Sequence, residues 1–241
     1  MVDAPQSSRK EGAVIDFSIV FPSRERLPLL FDCLSSIAEN TVDLSRIEVL
    51  VYIDCDDKKS IEAAPKLEQQ FPFVKFLQGA SPENLSRDCY NPLAQFSTGR
   101  FVLILNDDVV FLTPQWDRIC LETLTDFQAK HQDGIVLGKT RCDTGNFEYS
   151  CFPVISREAI NFLGYLQPPS FGGWAADIAL HKIYSSVQRE IDLDIDLSHR
   201  CIHNRKRGRD RVSQRMSRLS KYPWQDLEKD IGRLKNLLRE P

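Results

Sequence analysis

Apolar positions along the first half of the chain fall into strand-like and helix-like stretches that alternate. Residues 15–21 (IDFSIVF) and 47–53 (IEVLVYI) are apolar runs rich in β-branched residues and predict buried strands. Between them, Leu30, Leu34, Ile37 and Ala38 recur at helical spacing across residues 27–39. A polar turn, Asp54-Cys55-Asp56-Asp57, closes the second strand. A helical stretch (58–70), a strand (73–77), a second helical stretch (83–97) and the strand FVLIL (101–105) follow. Strands separated by helix-length polar segments predict right-handed βαβ crossovers and a largely parallel sheet.

Past residue 108 the rhythm changes. A helix is predicted from Pro114 to Lys130, then strand-like segments at 135–140 and 147–155. A short helix begins near Ser156, and another follows Gly172-Gly173. Residues 190–197 (EIDLDIDL) alternate strictly, with Ile191, Leu193, Ile195 and Leu197 on one face. That alternation predicts a half-exposed strand, antiparallel or at a sheet edge. Asp192, Asp194 and Asp196 then form its exposed side rather than a metal cluster. Leu227, Ile231, Leu234 and Leu238 place an apolar stripe on a C-terminal helix. The expected organisation is a polar lead over 1–13, one α/β domain over 14–221 with halves meeting near residue 112, and a C-terminal helix over 222–241.

Composition narrows the function classes. With 241 residues, 42% of them hydrophobic, the chain can bury a full core, and its net charge of -3 gives no global reason for a nucleic-acid partner. Seven cysteines, an odd number without CxxC spacing, point to reduced thiols rather than a disulfide framework. The opening MVDAPQSSRKEG is polar and unlike a signal peptide, and runs such as Phe101 to Leu105 are too short to span a bilayer. A cytoplasmic protein without a transmembrane segment is expected.

Glycine placement excludes several ligand cradles. No glycine occurs between Gly12 and Gly79, so the first strand runs into Pro22-Ser23-Arg24-Glu25-Arg26. A Rossmann dinucleotide turn, a P-loop or the glycine-rich loop of a nucleotidylyltransferase needs glycines there for the backbone to wrap phosphates. Phosphates bound here must instead be neutralised by a cation or by basic side chains. Asn106-Asp107-Asp108 leaves the most apolar strand at the mouth of the sheet. Carboxylates in that place suit Mg²⁺ or Mn²⁺ shared with a diphosphate, and equally suit a polar turn capping a strand.

Four blocks carry a resemblance to family 2 glycosyltransferases. FSIVFPSRERLPLLFDCLSSI is similar to the family's opening strand and helix, and Asp54 after IEVLVYI stands where the family has the aspartate that contacts the nucleobase. TGRFVLILNDDVVF resembles the segment with the DxD motif, and FGGWAADIAL the later Gly-Gly-Trp segment with the catalytic acid. The blocks arrive in the family's order over residues 15–185. The resemblance implies a GT-A fold: a Rossmann-like, mixed but mostly parallel sheet flanked by helices, with a small antiparallel element, a donor half (14–112) and an acceptor half (113–221).

It further implies metal-dependent transfer, with Mn²⁺ or Mg²⁺, from a UDP- or GDP-sugar to a glycan or other hydroxyl acceptor. Donor contacts would come from Pro22, Ser23, Arg24, Arg26, Asp54, Asp56, Arg87, Asn106 and Asp107, and acceptor-side contacts from Gly172, Gly173 and Trp174. Two departures shift the roles. Asn106 replaces the first DxD aspartate, so metal ligation falls to Asp108, completed by a C-terminal histidine: His203 first, His199 second. Ala176-Asp177 replaces the usual Glu-Asp pair, leaving Asp177 as the base for inverting transfer. Asp177 also reads as a first-turn residue stabilised by the helix dipole. A retaining transferase and a non-catalytic nucleotide-sugar-binding module are the alternatives. His131 and His181 read as structural. Residues 199–221 hold nine Lys or Arg against one acid, a solvated surface or a loop closing over the donor; no aromatic residues interleave as a nucleic-acid surface would require.

Overall fold

The structure is a computed structural model that describes residues 14–143, 148–172, 175–200 and 223–238. In the first half, β1 (Phe17–Ser23), α1 (Leu27–Asn40), β2 (Ile47–Asp54), α2 (Lys58–Gln70), β3 (Val74–Gly79), α3 (Asn91–Phe96) and β4 (Phe101–Ile104) alternate. Then come β5 (Val109–Phe111), α4 (Trp116–Ala129), β6 (Leu137–Cys142), β7 (Val154–Ser156), α5 (Arg157–Leu163), α6 (Ala176–Ser185), β8 (Glu190–His199) and α7 (Leu227–Leu237). One sheet of eight strands runs in the order β3-β2-β1-β4-β7-β6-β8-β5.

β1 is parallel to β2 and β4, and β2 to β3, so four strand ends face the same way. β2 is buried along its whole length, as expected where helices cover both faces of a parallel sheet. α1 lays Leu30, Cys33, Leu34 and Ile37 on this sheet, and α2 adds Ala64 and Leu67. The Asp57 side chain accepts from Ser60 N and starts α2. Glu48, buried in β2, accepts from Ser18 Oγ at 2.8 Å and from Thr98 N at 2.6 Å, joining two strands to the turn that enters β4. That turn presses against β1: a Cβ on Gly99 would lie 2.6 Å from Ser18 N.

The helical stretch expected over 83–97 is present, as a π-helical turn (Ser86–Tyr90) running directly into α3, where Pro92 removes a backbone donor. The strand expected over 147–155 is corrected: the described residues give only the three-residue β7, and Ser150 before it bonds Thr140 through its side chain. β8 is antiparallel to β5, one of the two placements its alternation predicted, and it is not at the sheet edge because β6, to which it is parallel, lies on its other side. Its alternation reports one solvated face. Leu193, Ile195 and Leu197 are buried, while Asp192 meets Lys139, and Asp194 and Asp196 meet Arg141. β5 itself, three residues long, has no counterpart in the apolar pattern.

Helix side chains bond one residue on each outer strand. On β5, Phe111 N donates to Ser36 Oγ at 3.1 Å, and its carbonyl accepts from Asn40 Nδ2 at 3.2 Å. On β3, Phe76 N donates to Glu68 Oε1 at 3.0 Å. α7 packs on the second half through buried Leu227 and Leu234, and Tyr165 Oη donates to Asp230 Oδ2 at 2.6 Å. The Trp224 ring lies against Phe171 and beneath Lys182. Cys33, Cys55, Cys89 and Cys120 are free thiols. Among the described residues no helix is long and apolar enough to cross a membrane.

Candidate functional site

The parallel registers decide which loops meet. Ser23 pairs with Ile53, which sets Arg24 beside the end of β2, and Val20 pairs with Ile104, which sets the residues after β4 beside the end of β1. The turn after β1 therefore faces acids on both sides. Within it, Glu25 has φ 56, a left-handed conformation uncommon for a side chain with a Cβ, and its N–H donates to Asp57 Oδ2 at 2.8 Å. This kink sends the two flanking arginines to different partners.

Arg24 turns toward β2, where its guanidinium bonds Asp54 and forks onto Asp56. Asp54 also accepts from Ser81 Oγ at 2.6 Å, which brings in the loop after β3. Arg26 turns toward β4. Its Nη1 lies 3.1 Å from Asp107 Oδ1 and 3.4 Å from Asp108 Oδ2. The other oxygen of Asp107 accepts from Ser23 Oγ at 2.9 Å. Burial pushes the Asp107 pKa up to about 6, against the pull of Arg26.

Asn106 faces Tyr90, whose hydroxyl lies 2.9 Å from Leu105 O and 3.0 Å from Asn106 Oδ1. Asp108 faces the end of β8. His199 Nε2 is 3.2 Å from Asp108 Oδ1, and the Phe152 ring meets the imidazole edge-to-face at 5.1 Å. Burial opposes charge on His199, but the hydrogen bond and charge of Asp108 outweigh it and hold its pKa above the ordinary value. The peptide after His199 is tied to the same place, since Arg200 N donates to Asp108 O at 2.9 Å and its guanidinium pairs with Asp32.

Asp177 lies in the first turn of α6, two residues after Ala175, whose φ is 71. Burial raises its pKa, opposed by the Ile178 N–H at 2.9 Å and by a hydrogen bond with Cys151. Cys151 adjoins Phe152, the residue packed on His199, so one segment touches both Asp177 and His199. Gly172 is buried before α6, whereas Gly173, Trp174 and His203 lie outside the described residues, as does most of the basic stretch. Arg87 does not join the cluster: its exposed guanidinium forks onto Asp88, at 2.5 and 2.9 Å.

The donor set bears on the expected metal. Among the described residues, no group of three or more His, Cys, Asp or Glu is arranged to hold an ion alone. Asp108 and His199 nonetheless present a carboxylate and an imidazole to one point, and His199 Nδ1 is buried without a hydrogen-bond partner among the described residues. Two protein donors fit Mn²⁺ or Mg²⁺ when phosphate oxygens and water complete the shell. The residues present thus suit an ion shared with a phosphate ligand.

The sequence alone did not reveal the Tyr90, Ser81, Cys151 and Phe152 contacts. Each is made between residues distant in the chain, with no spacing that announces it.

A family model described as Glycosyl transferase family 2 matches residues 18–162. Solved structures share the fold. A mannosyltransferase from Pyrobaculum calidifontis, in complex with GDP-Man and Mn²⁺, is 15% identical with a TM-score of 0.61, over 80% of this chain and 60% of that one. S. aureus TarS 1–349 in complex with UDP-GlcNAc is 14% identical with a TM-score of 0.57, over 76% of this chain and 58% of that one. GalNAc-T7 with UDP, GalNAc and Mn²⁺ is 12% identical with a TM-score of 0.59, over 77% of this chain and 44% of that one. The chain spans 36% of a longer TarS structure. No protein of curated function matches. The likenesses establish the GT-A fold.

Proposed function

This chain belongs to glycosyl transferase family 2, and on that footing we propose that it moves a sugar from a UDP- or GDP-sugar to a hydroxyl of a glycan or other acceptor. The observation that carries the reading is the meeting of Ser23 and Arg26 with Asp107-Asp108, and of His199 with Asp108, at the carboxyl ends of parallel strands. Ligands of open α/β sheets sit at those ends. Solved relatives holding GDP-Man or UDP-GlcNAc support a nucleoside diphosphate sugar as donor.

In this reading residues 14–112 hold the donor and 113–221 the acceptor. Asp54, steadied by Arg24 and Ser81, receives the nucleoside, with Pro22, Asp56 and Asn106 bordering it. Asp108 and His199 hold Mn²⁺ or Mg²⁺, and that ion supplies positive charge to the departing diphosphate. Asp107 fixes the turn after β1 through Ser23 and Arg26. Asp177 takes the proton of the acceptor hydroxyl, whose oxygen attacks the anomeric carbon as the bond to the diphosphate breaks, inverting that carbon. Burial raises the pKa of Asp177 and so strengthens it as a base. Gly172, Gly173 and Trp174 border the acceptor. An odd number of cysteines without CxxC spacing favours a cytoplasmic location.

A second reading is a nucleotide-sugar-binding module. Asn106 and Ala176 favour it, since each stands where the family carries a carboxylate. A thermal-shift screen of UDP- and GDP-sugars with and without Mn²⁺, followed by a product assay, tests both. Stabilisation that needs nucleotide and metal together is expected. Binding without transfer or hydrolysis leaves the module, and no shift with any donor removes both.

A further inference from the structure

Arg26 sits where a cation is needed. Asp107 and Asp108 are adjacent, and their side chains are only 5% and 2% exposed. Two buried neighbouring carboxylates repel each other and lose hydration, which demands a counter-charge. Arg26, itself 12% exposed, supplies it from a single nitrogen that reaches both acids. The two oxygens of Asp108 are thereby divided, Oδ2 toward Arg26 and Oδ1 toward His199. A divalent ion arriving on Asp108 and His199 would meet a guanidinium on the same carboxylate.

The geometry points to Arg26 as an exchangeable stand-in for the metal: it bridges Asp107 and Asp108 and moves to the diphosphate when the donor arrives, so that metal and donor load together. This rests on the donor-site reading above.

Three features support the exchange. A guanidinium matches phosphate oxygens as well as carboxylates, so a diphosphate offers Arg26 a partner of equal kind. Displacement by metal alone would leave it near-buried beside a new positive charge, which disfavours metal without nucleotide. The backbone is also held from both sides, by the Glu25 N–H on Asp57 and by Leu30 N on Arg26 O at 3.0 Å. The side chain can therefore swing while the loop stays in place. Asp107 has a second partner besides Arg26, since its Oδ2 accepts from Ser23 Oγ.

Mn²⁺ uptake, followed by loss of the free-ion electron paramagnetic resonance signal, tests this with UDP and GDP as probes and no acceptor. In the wild-type chain Mn²⁺ alone is expected to bind weakly, with UDP or GDP tightening it by about tenfold or more, within the usual range of coupling between sites. Arg26→Gln is expected to bind Mn²⁺ alone about tenfold more tightly than wild type, with little further gain from nucleotide. Arg26→Lys keeps the charge but loses the planar fork, and is expected to fall between the two. If Arg26→Gln does not fold, Arg26→Lys decides, and Mn²⁺ affinity no tighter than wild type overturns the exchange. Uptake that needs nucleotide in wild type and remains just as dependent on it in Arg26→Gln also overturns the exchange, while sparing the donor site. Wild-type chain that takes up Mn²⁺ neither alone nor with UDP or GDP removes the donor-site reading itself.

Discussion

His199 reaches Asp108 across the sheet, Nε2 to Oδ1 at 3.2 Å, so that the last strand of the second half completes a site begun at the end of β4. Phe152 holds the imidazole in place from the side. Of the two histidines considered for this role, His199 is the one within the described residues.

Replacing His199 separates the two candidates. His199→Ala is expected to weaken Mn²⁺-dependent UDP or GDP binding by about 10–100-fold, the range seen when support of a metal site is removed. His203→Ala is expected to change it little. Isothermal titration of both variants reads this directly, and the opposite ranking would return the ligand role to His203.

Asp177 is testable without touching the donor. Asp177→Asn keeps the shape and removes the base, so transfer should fall by roughly 10²–10⁴-fold while the Kd for UDP- or GDP-sugar stays at the wild-type value. Full activity in the variant would eliminate Asp177 as the base and leave its first-turn placement on α6 as its role.

The raised pKa of Asp177 also fixes two pH effects. Transfer needs the carboxylate, so activity is present above this pKa and lost as pH falls through it, with the acid limb displaced upward from an ordinary aspartate. Stability runs the other way. A carboxyl whose folded pKa exceeds its unfolded value favours the folded state below the unfolded value, and that benefit is lost as pH rises through the folded pKa. Asp177→Asn should therefore raise Tm at neutral pH, with the difference vanishing below about pH 4. An equal Tm difference at both pH values would contradict this.

Gly99 tests the joint between β1 and the turn into β4. A methyl group there meets Ser18 N and Ser18 Oγ, both at 2.6 Å, and backbone cannot step aside as a flexible side-chain tip would. Gly99→Ala is expected to cost about 1–3 kcal/mol, as overpacking of a filled core does. Guanidinium denaturation should show a lowered midpoint with an unchanged slope.

The strands whose burial is written into consecutive residues were legible in advance. β1, β2 and β4 follow the apolar runs, and α1 and α2 follow their helical spacing. Features created by pairing between distant segments were not legible. EIDLDIDL announces a solvated face, but its neighbours are chosen by β5 and β6, and three residues of β5 are too few to show a period. At the site, the sequence marked the acids and the arginines by type. It held no sign that the kink at Glu25 would send Arg24 to Asp54 and Arg26 to Asp107, nor that Arg87 would turn onto Asp88.

Glu68 on β3, and Ser36 with Asn40 on β5, have a consequence for how copies of this chain can associate. Unpaired strand edges are the usual templates for continuing a sheet into a second molecule, by ordered dimerisation or by fibre growth. Here Phe76 and Phe111 have already given those backbone groups to helix side chains of the same chain. Sheet continuation at Phe76 or Phe111 would have to break these bonds first, which sets a cost on adding a strand at either point.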